Sequence, residues 1–108
     1  MQEKQSFISG NGTDSEVRAH RDTTFAAMFR SNELVWQVDE VYDAEEWVWR
    51  VDFLRQDLQG VWMLYRYHYD IATGVVYFMG AYPVDETQLL ALRRKGKVFT
   101  QHQSTTSE

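Results

Sequence analysis

Hydrophobic and polar positions alternate most regularly between Trp47 and Tyr82, where three runs follow one another: WVWRVDFL, VWMLYRYHY and VVYFMGAY. A period of two puts successive side chains on opposite faces of a strand, so these runs predict consecutive strands of one antiparallel sheet. A fourth strand precedes them. From Leu34 the chain again alternates, with Leu34, Trp36 and Val38 on one side and Val35, Gln37 and Asp39 on the other. A four-residue turn at Asp43-Ala44-Glu45-Glu46 pairs Trp36 with Phe53, Val38 with Val51 and Tyr42 with Trp47.

A helical alternative exists for Trp47 to Leu58. Asp43 and Glu46 have capping-box spacing, Trp47, Val51, Leu54 and Leu58 recur at helical spacing, and Gly60 suits a stop. The clean alternation of Trp-Val-Trp-Arg-Val-Asp-Phe, rich in β-favouring types, favours the strand. The connection Asp70-Ile71-Ala72-Thr73-Gly74 predicts a five-residue hairpin loop with glycine at a positive φ. That loop sets Tyr67 opposite Tyr77, Tyr65 opposite Met79 and Met63 opposite Ala81. On the other face it sets Arg66 opposite Phe78 and Trp62 opposite Tyr82.

Two helices flank the sheet. Asp14 or Ser15 can cap a first helix to about Arg30, with Val17, His20 or Arg21, Thr24 or Phe25, and Met28 at helical spacing; a shorter helix from Asp22 would bury Phe25, Met28 and Phe29. Pro83 ends the last long strand. Asp85 and Gln88 form a capping box for a second helix to about Lys95, with Leu89, Leu90 and Leu92 as its apolar stripe and Gly96 as the expected C′ residue. Lys97 to Thr100 suits a short edge strand. The predicted fold class is therefore α+β: a four-stranded antiparallel meander with an N-terminal and a C-terminal helix on one face. Residues 1–14 are polar and turn-prone and are expected to form a flexible arm, 15–100 the single domain, and 101–108 a disordered tail.

Composition narrows the function more than it identifies one. The 108 residues contain no cysteine, so neither a disulfide framework nor thiolate chemistry is available, which fits a reducing, cytoplasmic setting. The N-terminus lacks an apolar signal core, and no run approaches the roughly 18 apolar residues of a membrane span, so neither secretion nor insertion is expected. A net charge of −5 opposes phosphate-backbone binding, which depends on lysine and arginine. Trp62, Arg66, His68, Phe78 and Tyr82 have the composition of a base-stacking platform, but these strands carry no lysine. Nucleic acid is not the expected partner.

No catalytic or metal motif stands out. The serines at 6, 9, 15, 31, 104 and 107 lie in predicted arm, helix start, turn or tail, and His20, His68 and His102 lack zinc-site spacing. No cofactor is implied, since no glycine-rich phosphate loop has Walker or dinucleotide spacing. Six acids and no base fall between Glu33 and Glu46, namely Glu33, Asp39, Glu40, Asp43, Glu45 and Glu46, and they match no calcium loop.

Three surfaces are candidates. The second face of the sheet mixes Arg50, Asp52, Arg66 and His68 with Val48, Leu54, Trp62, Leu64, Phe78 and Tyr82, too apolar for plain solvent. Trp62, Leu64, Arg66, Phe78, Tyr82 and Arg50 are the expected protein interface, most simply of a homodimer. The six acids offer a basic partner an electrostatic surface, as in an inhibitor or immunity-type protein. Tyr65, Tyr67 and Tyr77, with Glu40 as the buried acid, could line a ligand or enzymatic pocket between sheet and helices. The expectation is a non-enzymatic, self-associating interaction module, with the other two as alternatives.

Overall fold

A computed structural model describes residues 14–99. The predicted arm up to residue 13, the tail from 101 to 108 and His102 lie outside the described residues. In chain order the elements are α1 (Asp14–Met28), β1 (Trp36–Asp43), β2 (Val48–Gln56), β3 (Trp62–Asp70), β4 (Val76–Pro83), α2 (Glu86–Lys95) and β5 (Lys97–Val98). The strands form one sheet in the order β4-β3-β2-β1-β5, and every neighbouring pair is antiparallel. The α+β meander read from the pattern is the fold. Trp47 to Leu58 holds a strand rather than a helix, because β2 sits between two partners and pairs with β3 along all nine of its residues. Among the described residues no helix is long and apolar enough to cross a membrane.

An aspartate organises each of the three hairpin connections. Asp43 Oδ1 accepts the Glu45 and Glu46 N–H groups at 3.0 and 3.1 Å, so the capping-box spacing at this position serves a turn. Asp57 Oδ1 accepts from Gln59 and Val61, and Asp70 Oδ1 accepts from Ala72. Gly60 and Gly74 take positive φ angles of 85° and 76° to close the second and third turns. Trp47 closes the first at φ 57°, a backbone state costly for a bulky residue. Its indole packs against the core and its carbonyl accepts the Ile71 N–H, which hold it there.

Two β-bulges change the register read from the sequence. In β1 a bulge falls between Gln37 and Asp39: beyond it the pairing is two residues off the expected one, with Trp49 rather than Trp47 opposite Tyr42 and Glu40 rather than Val38 opposite Val51, and before it Trp36 lies opposite Leu54 rather than Phe53. One extra residue reverses side-chain parity. Trp36 therefore leaves the core face, and Val35 and Gln37 take its place there. In β4 a bulge near Met79 sets Tyr67 opposite Phe78, His68 opposite Tyr77, Arg66 opposite Gly80 and Leu64 opposite Tyr82. Phe78 and Tyr77 have exchanged faces relative to the expected pairing.

The core lies between α1 and the first face of the sheet. Val17, Arg21, Phe25 and Phe29 recur every fourth residue and turn inward, whereas Met28 is exposed. Phe53 is the hub: fully buried, it meets Phe25, Phe29 and Phe99 with ring centroids 4.9, 5.0 and 5.0 Å apart, all edge-on.

The C-terminal helix does not share that face, contrary to the expectation of one helical layer. Arg93 of α2 lies over the rings of Trp62 and Trp36 at 4.7 and 5.9 Å, and both rings are on the second face, where Leu54 is fully buried. The bulge in β1 is the cause, since turning Trp36 over gives α2 an apolar site to cover. The capping box forms as read, with Gln88 N–H donating to Asp85 Oδ1 at 2.8 Å and Asp85 N–H to Gln88 Oε1 at 2.9 Å. Of the expected stripe, Leu89 and Leu92 are half-buried and Leu90 is exposed. Gly96 is no left-handed cap: its φ is −89°, and the chain runs straight on into β5. A Cβ there would come within 2.8 Å of the Gln37 carbonyl oxygen and Val38 Cγ1, so glycine is needed for close approach to β1.

Candidate protein-interaction surface

The second face divides into a covered and an open half. At one end α2 lies over it, with Arg93 on the Trp36 and Trp62 rings beside the fully buried Leu54. From Arg50 and Arg66 to β4 the face is open. At its centre Asp52, 2 % exposed, receives both Arg66 Nε and Nη2 at 3.0 Å, a bidentate bond across neighbouring strands. Arg50 Nη2 reaches Asp39 Oδ2 at 2.7 Å and lies 3.8 Å from Asp52 Oδ2. Two arginines and two acids thus lie in a row across β1, β2 and β3. The bond from Asp52 stabilises the charged guanidinium of Arg66, raising its pKa further.

Around this row stand half-exposed aromatic groups. Tyr77 lies opposite His68, and Tyr82 opposite Leu64. The Tyr82 hydroxyl stands 2.7 Å from where a Gly80 Cβ would be, so the glycine at φ 147° lets that ring lie back over the strand. Exposures of 52 % for Tyr77, 59 % for Phe78, 47 % for Met79 and 46 % for Tyr82 make β4 the most exposed apolar strand of the sheet.

Of the expected interface, Arg50, Leu64, Arg66 and Tyr82 share the open second face. Trp62 is on the same face but sits under Arg93. Phe78 is on the first face, against Tyr65 and Tyr67 at 6.3 and 5.6 Å, because the β4 bulge reverses its parity. Tyr77 takes its place on the second face. The same reversal separates the expected ligand pocket: Tyr65 and Tyr67 lie on the first face, Tyr67 buried, and Tyr77 on the other, so the three do not line one cavity. Sequence reasoning missed Asp52 as a buried anchor. Its signal was the alternation Arg50-Val51-Asp52 facing Arg66 on the next run.

The acidic segment is largely consumed within the chain. Glu33 is buried and accepts Arg55 Nε at 2.7 Å, Arg55 Nη2 at 3.1 Å and the Arg30 N–H at 3.1 Å. Burial pushes its carboxyl up, but the Arg55 bond and the Arg30 N–H outweigh this and hold it below the usual carboxylate range. Glu40 accepts Gln37 Nε2 at 2.7 Å and Arg21 Nη2 at 3.2 Å, Asp39 binds Arg50, and Asp43 closes its turn. Glu45 and Glu46 are exposed. A polar cleft of about 350 Å³ adjoins this region, where Arg18, Lys95 and Lys97 interleave with Asp22, Asp39 and Glu40, so it presents no field of one sign.

Among the described residues no group of three or more His, Asp or Glu could hold a metal ion. His20 Nδ1 and the Tyr69 hydroxyl are hydrogen-bonded at 2.6 Å, and burial pushes the Tyr69 phenol up. Against protein-family models, curated proteins and solved structures, the chain matches none.

Proposed function

We propose that this protein is a non-enzymatic interaction module that works by self-association through the open half of the second face, centred on Arg66, Tyr77 and Tyr82. The observation that carries the reading is the half-exposure of both tyrosines beside an arginine whose charge Asp52 already balances. Tyrosine and arginine are the types enriched at binding hot spots, and a guanidinium paired within its own chain loses less when water is removed. A basic partner has less support, because Glu33, Asp39 and Glu40 are bound to arginines of the same chain. With no cysteine, the module needs no oxidising environment and suits the cytoplasm.

Sedimentation velocity across a concentration series tests the reading. A concentration-dependent dimer is expected, and Tyr82→Asp should shift it to monomer with an unchanged far-ultraviolet circular dichroism spectrum. A chain that stays monomeric at all concentrations would sink the proposal.

A further inference from the structure

The outer edge of β4 carries a second pattern. The Asp70 N–H donates to the Val75 carbonyl at 2.9 Å and the Val84 N–H to the Trp62 carbonyl at 3.5 Å, so Val75 and Val84 turn their backbone groups toward β3. Alternation along an antiparallel pair then turns those of Val76, Phe78, Ala81 and Pro83 outward, with the bulge absorbing the odd residue between. Pro83, which has no N–H to give, sits at an outward position, as edge prolines do. No charged residue occurs from Val75 to Val84. Among the described residues no strand pairs with these outward groups, and an uncharged edge of this kind is a template for another strand.

We infer that two copies of this chain pair β4 to β4 across a two-fold axis through Met79 and Gly80, making one continuous sheet. This deepens the self-association reading and rests on it. The β4 edge is self-complementary. About that axis Val76 meets Pro83 of the second copy, Phe78 meets Ala81, and Tyr77 meets Tyr82, each pair twice. Outward-facing residues thereby meet outward-facing residues, and every pair falls on a common face: Val76, Phe78, Ala81 and Pro83 on the first, Tyr77 and Tyr82 on the second. Phe78 opposes a small residue, and the two tyrosines form a closely spaced pair without backbone hydrogen bonds, the kind that brings side chains nearest. A bulge usually turns an edge away from pairing. Here it lies on the axis, where both copies bend alike.

Charge and area agree with a second copy as the occupant. The acids of β1 lie three strands away, roughly 14 Å, beyond the screening length at physiological salt. Asp70 and Asp85, nearer the ends of β4, are already hydrogen-bonded within their own turn and cap. Tyr77, Phe78, Met79 and Tyr82 are each about half exposed. Side chains of that size leave on the order of 100 Å² apiece to bury, so the two copies together approach the roughly 1,000 Å² of a small specific interface. A dimer of modest affinity follows.

The absence of native cysteine makes a cross-linking test clean. Under mild oxidation, a Tyr77→Cys chain mixed with a Tyr82→Cys chain should give a disulfide-linked dimer of unlike copies, since directly opposed positions of this kind are within disulfide reach. Neither variant alone should link. Met79→Lys, which sets two ammonium groups beside the axis, should weaken the dimer roughly tenfold by sedimentation. A dimer that forms no such cross-link and ignores Met79→Lys overturns edge pairing and leaves self-association standing. A monomer at every concentration overturns both.

Discussion

The two edges of this sheet are built on opposite principles. Along β1 the acids are answered from inside the chain: Arg21 and Gln37 bind Glu40, Arg50 binds Asp39, and the buried Glu33 just before the strand is held by Arg55. The start of the edge is then covered by β5, which pairs at Trp36 and Gln37 and brings Phe99 against the core. Along β4 there is no charge and, among the described residues, no covering strand, and aromatic and methionine side chains stand half in solvent. An edge that is neutralised and covered is protected against pairing, whereas an edge left bare invites it. The charges of this acidic chain thus serve the fold at one edge, and the proposed self-association uses the edge without them.

Disruption should be greatest at the protected edge. Arg55→Ala would leave the Glu33 carboxylate buried without its counter-charge and strip a cation from the rings of Phe29 and Tyr65. A cost of about 3–5 kcal/mol in chemical denaturation follows. If the variant unfolds with the wild-type midpoint, this edge is not held by its ion pairs.

Next in size is Gly96→Ala, whose new methyl would meet β1 backbone at 2.8 Å. It should lower stability by about 1–3 kcal/mol through displacement of β5 or α2. Fluorescence of the tryptophans under α2 should change with it. An unaffected protein would mean that β5 does not close this edge.

The smallest effect is reached by pH. The Glu33 carboxyl titrates below its unfolded value, so its stabilisation is present above the ordinary glutamate range near pH ~4.3 and is lost as pH falls through the folded value. The gap in stability between wild type and Arg55→Ala should therefore narrow below about pH 4, because protonation removes the charge that Arg55 neutralises. A gap independent of pH would assign the Arg55 effect to packing on Phe29 and Tyr65 instead.

Much of this architecture was legible along the chain because it depends on neighbours in sequence. Alternation located four strands, Asp85 and Gln88 located the start of α2, and Gly74 the third turn, all local consequences of backbone geometry. The candidate surface was legible in part: Arg50, Leu64, Arg66 and Tyr82 share the open face as alternation placed them. Phe78 and Tyr77 exchange faces relative to that reading, because one unpaired residue near Met79 reverses everything on one side of it. A bulge leaves little trace in residue pattern, since it is chosen by what the strand meets across the sheet.

Periodicity, turn chemistry and capping are local, and they specify the elements, their order and the antiparallel class. Which face each strand half presents, and with it the division of labour between the edges, is settled only when the strands pair. The bulge in β1 turned Trp36 over and so drew α2 to the second face, and the bulge in β4 placed Tyr77 beside Tyr82. Side-chain parity is a property of pairing between strands distant in sequence, and it is fixed when the sheet assembles.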